Sequence, residues 1–282
     1  MRRGPVPALD SPMTQFGLRT LFASICAHRS FLSSLWLLLL CTVGFCSNAL
    51  GKLPSGAEQS AREGEFWTRI TDANVIYIGE THDSRRDHEY ELALIRGMIR
   101  SRMHFAIGWE MFERTQQCEL DRFSERRLSL AELLARTGFE KSWGSYSPLY
   151  AGILEATAQA RLPNIGLNAP TGLVHKVAKG EPLSLDEKKQ IPQEFGVPAG
   201  AYRHFVHLLR EHPGMNQHDL PRFFAAQNLW DQTMARTILE FQEKNVTTKL
   251  LVLTGRGHVQ GGFGIPNYVR QKSSAKQLVL LP

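Results

Sequence analysis

The stretch Val75-Ile76-Tyr77-Ile78-Gly79-Glu80-Thr81-His82 decides the prediction of the fold. Its first four residues, three β-branched and one aromatic, predict a buried strand that ends at the glycine. A carboxylate, Glu80, and an imidazole, His82, follow directly. Ligands of open α/β sheets bind beyond the carboxyl ends of the strands, so these two side chains lie where a site is expected. The alternative is a simple polar turn in which Thr81 or Asp83 caps the next helix.

Further short apolar runs repeat this pattern of a strand followed by a polar side chain. Because the carboxyl ends of parallel strands meet at one edge of a sheet, we expect these polar side chains to share one crevice. The runs 104–109, 164–167 and 249–254 lead to Glu110, Asn168 and His258, and a last run, residues 277–281, closes the sheet. After Glu110 the chain is predicted to enter a helical stretch at Met111 and Phe112.

Two predicted helices carry further polar side chains toward this crevice. In the helix 84–102, apolar spacing places His88 on the inward face, where it serves either the site or a backbone carbonyl of the core. In the long helix that ends near Lys244, Gln227 lies within the apolar stripe and Asp231 lies at its edge. Burying an amide or a carboxylate costs several kcal/mol without a partner, so both side chains serve a site or cap a neighbouring loop.

The order of these elements indicates an α/β fold with a mostly parallel central sheet flanked by helices. Residues 171–217 read as helical pieces that form an inserted cap. A segment rich in aromatic residues, 139–150, reads as a loop ahead of a helix that spans 148–161. The common phosphate-binding and hydrolase motifs are absent from the sequence.

The first 49 residues differ from the rest of the chain. Four arginines precede the apolar run 31–46, which is shorter than the ~20 residues needed to cross a bilayer. This pattern predicts a signal peptide or an N-terminal anchor over residues 1–49, followed by a single domain over residues 50–282. A lipoprotein is a further alternative, in which Cys46 would carry the lipid. All three interpretations place the domain in the periplasm or the cell envelope.

Composition excludes some classes of partner. After residue 49 the sequence has 29 basic and 26 acidic residues, without a basic run interleaved with aromatic residues, so nucleic acid is not expected as a partner. Only Cys118 lies outside the first 49 residues, so the domain forms no internal disulfide. The sequence also lacks a C-x-x-C-H motif for covalent haem attachment.

Four blocks of the sequence together resemble one known family. They are Gly79-Glu80-Thr81-His82, Trp109-Glu110-Met111-Phe112, Gln227-x-x-x-Asp231-x-x-Met234-Ala235, and Gly257-His258-Val259 followed by Gly264-Ile265-Pro266. In this order they are similar to the ChaN-like haem-binding family, which is grouped with Tiki-type proteases and erythromycin esterases. The resemblance covers about residues 60–272.

The resemblance implies an exported protein that binds haem non-covalently, forms a homodimer and takes part in iron acquisition, with an outer-membrane haem receptor or transport components as partners. In the family a tyrosine phenolate coordinates the iron, and this ligation suits ferric haem. The segment Trp143-x-x-Tyr146-x-Pro148-Leu149 is similar to the family's tyrosine segment, so Tyr146 is the candidate iron ligand and Tyr150 is the alternative. His88, Gln227, Asp231 and Arg256 are the other candidate haem-binding residues.

The residues also support an enzyme. Glu80, His82, Glu110 and His258 provide two carboxylates and two imidazoles, which suit general acid–base catalysis or a divalent metal. A hydrolase, either an esterase or a metal-dependent protease-like enzyme, is therefore the alternative to haem binding and transfer.

Overall fold

The computed structural model describes residues 56–209 and 217–282. The predicted signal peptide or anchor, residues 1–49, lies outside the described residues. None of the helices in the described ranges combines the length and the apolar character that a membrane span requires.

The centre of the domain is a sheet of five strands in the order β3-β2-β4-β1-β5, and all neighbours pair in parallel. The mostly parallel sheet predicted from the sequence is therefore confirmed. Because β1, β4 and β2 lie side by side, their carboxyl ends converge at the middle of one sheet edge. The strands are β1 (Val75–Glu80), β2 (Phe105–Glu113), β3 (Asn164–Asn168), β4 (Lys249–Gly255) and β5 (Gln277–Leu280).

Helices cover both faces of this sheet. Side chains alternate along each strand, so the even-numbered residues of β1 face one helical layer and the odd-numbered residues face the other. In chain order the helices are α1 (Gly56–Asp72), α2 (Arg85–Arg100), α3 (Gln117–Ser124), α4 (Leu130–Thr137), α5 (Phe139–Trp143), α6 (Ser147–Gln159), α7 (Thr171–Lys179), α8 (Leu185–Gln190), α9 (Ala201–Leu209), α10 (Leu220–Lys244) and α11 (Ile265–Lys272).

The two layers bury separate apolar cores. Ile76 and Ile78 of β1 pack in the core that contains the buried residues of α2 and α6. Val75 and Tyr77 pack in the opposite core, against Met234, Ile238 and other residues of α10. This arrangement fixes the setting of Glu80, which follows Ile76 and Ile78 on the same face and therefore extends toward α2 and α6.

Most predicted elements are confirmed, two expectations are wrong, and one alternative is not observed. Met111 and Phe112 belong to β2 and not to a helix, because both side chains are buried and they prolong the strand. The segment 139–150 is not a loop, since α5, the 3₁₀ turn Gly144–Tyr146 and the start of α6 follow one another there. The cap of α2 is Ser84, whose hydroxyl accepts from the backbone N–H of Asp87, and neither Thr81 nor Asp83 takes that role.

The region 171–217 contains the predicted helical pieces in its described part, namely α7, α8 and α9. Leu173 and Val174 of α7 pack on Ala226 and Leu229 of α10 in a small third core. The helical content is thus confirmed, while the description of this region as an insertion stays a prediction.

Substitution of Gly264 tests how closely the chain packs around His258. A Cβ atom at this position would lie 1.9 Å from the carbonyl oxygen of His258, a backbone contact that a rotamer change cannot relieve. We expect Gly264→Ala to lower the free energy of unfolding by about 3 kcal/mol or more. Gly172→Ala is the matched control, because a Cβ atom there meets nothing within 4 Å. Urea denaturation of both variants measures the difference, and equal stability would contradict the packing described here.

Candidate functional site

The first part of the site is a carboxylate–histidine pair at the end of β1. Glu80 is completely buried, and its Oε1 lies 2.6 Å from Nδ1 of His82. The hydroxyl of Tyr150, from α6, donates to the same oxygen and lies 3.1 Å from the same imidazole nitrogen. With Nδ1–H donating to Glu80, His82 turns Nε2 away from the core and toward the next strand.

A second pair of this kind follows β4. His258 lies on the 3₁₀ turn Arg256–His258, and its Nδ1 is 2.5 Å from Oδ1 of Asp231. The amide of Gln227 lies 2.9 Å from the same nitrogen. Asp231 and Gln227 are one helical turn apart on α10, so they reach His258 together. Buried polar side chains need a hydrogen-bonding partner, and for both Asp231 and Gln227 that partner is His258.

Glu110 of β2 lies between the two histidines. Its Oε1 is 3.3 Å from Nε2 of His258 and 3.9 Å from Nε2 of His82. Its Oε2 accepts hydrogen bonds of 2.7 Å from the hydroxyl of Thr254 and from the backbone N–H of Gly255. The end of β4 therefore fixes one carboxylate oxygen and leaves the other to the imidazoles. We call Glu80, His82, Glu110, His258 and Asp231 the strand-end cluster.

Glycine is required at position 255 for this approach. A Cβ atom there would lie 2.8 Å from Nε2 of His82, so any other residue would displace that ring. Asn168, the polar residue at the end of β3, donates from its side-chain amide to the backbone carbonyl of Glu110 at 2.9 Å. It thus supports the strand that carries Glu110 and does not contact the carboxylate.

Opposite charges alternate through the strand-end cluster. Burial opposes ionisation of Glu110, but His258 and His82 outweigh it and hold the pKa of Glu110 well below its usual value. Burial also opposes the charge on His258, yet Glu110 and Asp231 raise the pKa of that imidazole to about 10. The pKa of His82 is raised in the same way, because Glu80 and Glu110 outweigh its burial. Glu110 is therefore a carboxylate and His258 an imidazolium ion near neutral pH, and the same kind of neighbours shift His82 toward its charged form.

Burial has the larger effect on two other members of the network. Burial raises the pKa of Asp231, and the neighbouring His258 offsets only part of this rise. Burial also raises the pKa of Tyr150 well above the usual value, with the charges of Glu80 and Glu91 acting in the same direction. Tyr150 is therefore a neutral hydrogen-bond donor in this network.

His88 takes the inward position predicted from the spacing in α2, but it lies behind the strand-end cluster. Its Nε2 is 2.9 Å from the backbone carbonyl of His82, and its Nδ1 is 3.0 Å from Oε2 of Glu91 and 3.4 Å from Oε2 of Glu80. Glu91 was not predicted from the sequence. Its spacing of three residues from His88, on the face that also carries the buried Leu94 and Ile95, was the available signal.

A cleft opens above the strand-end cluster, with a cavity volume of about 240 Å³. Its floor contains His82, Glu110, Asp231 and His258, and Gln227 also lines it. Aromatic side chains from four elements and from the segment before α11 form the walls. They are Phe112 of β2, Phe139 and Trp143 of α5, Phe205 of α9, Phe224 and Trp230 of α10, and Phe263.

The structure separates the two candidate tyrosines. Tyr146 lines the cleft, and its ring stacks beside that of His82 with 6.4 Å between centroids. Tyr150 is completely buried below, and Trp143 makes T-shaped ring contacts with both Tyr150 and His82. Arg256 does not line the cleft, since it contacts Oδ2 of Asp87 at 3.2 Å and the carbonyl of Pro282.

A family model described as "Haem-binding uptake, Tiki superfamily, ChaN" matches residues 66–269. The chain belongs to this family. The family expected from the four sequence blocks is therefore confirmed. No curated protein sequence matches the chain.

Two solved structures share the fold of this family member. The ChaN protein of Campylobacter jejuni, whose structure is described as cofacial heme binding, is 20% identical with a TM-score of 0.61; the alignment covers 77% of this chain and 84% of that one. An erythromycin esterase mutant in its open conformation is 14% identical with a TM-score of 0.50, covering 78% of this chain and 72% of the other. At these identities the similarity shows the fold.

The raised pKa of His258 predicts a dependence of stability on pH. Because the folded value of about 10 exceeds the usual value of 6.5, the stabilisation is complete below pH 6.5 and is lost as the pH rises toward 10. Between pH 7 and 9, the difference in unfolding free energy between the unaltered chain and His258→Gln should shrink by about 1.4 kcal/mol per pH unit. Urea denaturation at several pH values measures this slope.

His104 provides the control for that experiment, because it is exposed and precedes β2 at the opposite edge of the sheet. His104→Gln should leave the slope of the unaltered chain unchanged. A His258→Gln variant whose stability falls in parallel with that of the unaltered chain would show that His258 carries no charge in this cluster.

Proposed function

We propose that this member of the ChaN family binds haem non-covalently in the cleft above the strand-end cluster, with Tyr146 as the ligand of the iron. The observation that carries the proposal is the cleft itself, in which aromatic walls surround a tyrosine that lies beside His82. Flat aromatic surfaces suit the faces of a porphyrin, and a phenolate suits ferric iron. Confirmed family membership agrees with this ligand.

The choice between the two tyrosines rests on their surroundings. The hydroxyl of Tyr150 already donates to Glu80, and the raised pKa of Tyr150 opposes the phenolate that iron would need. Tyr146 is partly exposed at the cleft and lies on the same side as the imidazole of His82, whose pKa is shifted toward the charged form by Glu80 and Glu110. A nearby cation lowers the pKa of a phenol and favours the anion.

The remaining candidates divide between the cleft and its support. Gln227 and Asp231 line the cleft, but both already contact His258, so they orient that imidazole at the floor. His88 lies behind Glu80, and Arg256 pairs with Asp87 away from the cleft, so these two act on haem only through intervening residues. Lys141 at the rim of the cleft is a better-placed cation for a propionate.

A dimeric state and an extracytoplasmic location are further parts of this proposal. Sites for small molecules and cofactors commonly measure about 300–1,000 Å³, and a single cleft of about 240 Å³ encloses only part of a porphyrin. A second copy of the chain would cover the exposed part. We further propose that the N-terminal 49 residues direct export, either as a cleaved signal peptide or as an anchor. The exported protein would then exchange haem with an outer-membrane receptor or transport component.

Substitution of Tyr146 tests the iron ligand. Tyr146→Phe keeps the ring in the cleft wall and removes the phenolate, so the ferric haem complex should lose its tyrosinate charge-transfer band while the protein remains folded. Tyr150→Phe is the matched control, one helical turn farther on, and should retain the band at a lower stability. Absorption spectra of the haem-loaded variants decide between the two, and loss of the band in Tyr150→Phe alone would reverse the assignment.

A hydrolase is the second candidate function, and the geometry of the strand-end cluster favours it. Glu110 lies at the floor of the cleft beside two imidazole Nε2 atoms, and each imidazole is oriented by a carboxylate on its other nitrogen. Glu110 and the Nε2 atoms of His82 and His258 are the groups at the floor of the cleft that can exchange a proton with a bound ester or amide. The donor set also fits a divalent metal, since metal-binding histidines are commonly held by carboxylates in this way.

Replacement of Glu110 tests the hydrolase. Glu110→Gln retains the shape of the side chain and removes its charge, so turnover of a p-nitrophenyl ester or a reporter peptide should fall about 10²-fold or more. The haem spectrum should not change, because Tyr146 is intact. A full rate in Glu110→Gln, or no turnover by the unaltered chain, would exclude this use of the cluster.

A further inference from the structure

A second group of buried polar side chains lies on the far side of Glu80 from the cleft. Glu80, His88 and Glu91 each offer one ligand atom, and these atoms lie within 4.8 Å of one another. Glu80 and Glu91 are completely buried, and His88 is 4% exposed. We call these three residues the inner triad. None of them lines the cleft, so the inner triad is separate from the pocket of the proposed haem site.

The hydrogen bonding of His88 determines what its imidazole presents to the inner triad. Nε2 lies 2.9 Å from the backbone carbonyl of His82, and a carbonyl oxygen only accepts hydrogen bonds. Nε2 therefore carries the hydrogen. In the neutral ring, Nδ1 then directs its lone pair at Oε2 of Glu91, 3.0 Å away, and at Oε2 of Glu80, 3.4 Å away. Three electron-pair donors thus face one another in a space without water access.

Such a convergence requires a positive species at its centre. Two carboxylate oxygens, Oε2 of Glu80 and Oε1 of Glu91, are buried and accept no hydrogen bond from the described residues. Burial and the charge of Glu80 raise the pKa of Glu91 well above its usual value, so a proton on Glu91 is one way to relieve the repulsion. A proton on Nδ1 of His88 or on Glu91 links the residues of the inner triad by hydrogen bonds, whereas a cation binds a lone pair of all three residues at once.

The geometry points to a divalent cation bound by Glu80, His88 and Glu91 behind the cleft. With metal–ligand distances near 2.0–2.2 Å and a tetrahedral arrangement, ligand atoms lie about 3.4 Å apart. The separations of 3.0 Å and 3.4 Å from Nδ1 of His88 are close to this value. One imidazole and two carboxylates suit Zn²⁺, Co²⁺, Mn²⁺ or Fe²⁺.

A cation in the inner triad would act on the cleft through Glu80. This carboxylate uses Oε2 toward the inner triad and Oε1 toward His82 and Tyr150. A cation on Oε2 would fix the orientation of this carboxylate and, through Oε1, the position of the imidazole that faces Glu110. The inner triad would thus be a support for the cleft and not a part of its surface.

Cobalt binding by the purified full chain tests the inner triad. After treatment with a chelator, the chain is titrated with Co²⁺ alone, and the visible d–d absorption and the cobalt retained after desalting are measured. We expect one retained equivalent per chain. Glu91→Gln, which keeps the shape and removes the charge, should weaken binding about tenfold or more. Glu110→Gln alters the strand-end cluster, whose donor set also fits a divalent metal, and leaves the inner triad intact, so it should retain one equivalent and separates the two sites.

Thermal unfolding provides a second measurement that does not depend on the folding of Glu91→Gln. A cation that binds only the folded state raises the unfolding midpoint with its concentration. This rise should occur in the unaltered chain and in Glu110→Gln. Its loss in Glu110→Gln would place the cation in the cleft and overturn the assignment, as would full binding by Glu91→Gln. No retained cobalt and no rise in the unaltered chain would show an inner triad held by protons alone.

Discussion

The burial of charge at the carboxyl end of a parallel sheet is the constraint on which the rest of this structure depends. The three central strands, β2, β4 and β1, deliver Glu110, His258 and Glu80 to one short stretch of sheet edge. An isolated charge at such depth would cost several kcal/mol, so each one needs an oppositely charged neighbour. The alternation from Glu80 through His82, Glu110 and His258 to Asp231 meets this need.

The alternation also explains why elements distant in the sequence pack where they do. Asp231 reaches His258 only because α10 crosses the face of the sheet beside the turn after β4. Tyr150 reaches Glu80 only because α6 packs with α2 on the opposite face. The polar network therefore ties both helical layers to the sheet edge, and the apolar cores on the two faces hold these layers in position.

Glu80 separates two environments within a few ångströms. On one side, Glu80 contacts His82, which lines an open cleft with aromatic walls where a flat ligand or a hydrolysable bond can be bound. On the other side His88 and Glu91 enclose a dry space that suits only a proton or a metal ion. The same division applies to the tyrosines, since Tyr146 faces the cleft and Tyr150 faces the interior.

Much of this arrangement was determined by the sequence itself. Apolar runs followed by Glu80, Glu110 and His258 were sufficient to predict a parallel sheet and a polar site at its edge, because local alternation and strand-end position are encoded residue by residue. Helical spacing likewise placed His88 on the inward face of its helix and Asp231 at the edge of the apolar stripe. The prediction failed where packing outweighs local pattern: Met111 and Phe112 prolong β2 because the surrounding core buries them.

Only the tertiary structure decided which polar groups meet. Partners such as Asp231 and His258 are separated by 27 residues, and Glu80 and Tyr150 by 70, so no local pattern relates them. The position of Arg256 beside Asp87, outside the cleft, and the contact of His88 with Glu80 follow from how α2 docks on the sheet. The sequence determines which side chains lie at each strand end and helix face. The packing of those elements determines the distances between the side chains, and these distances set the charge of each titratable group and the chemistry that the group can do.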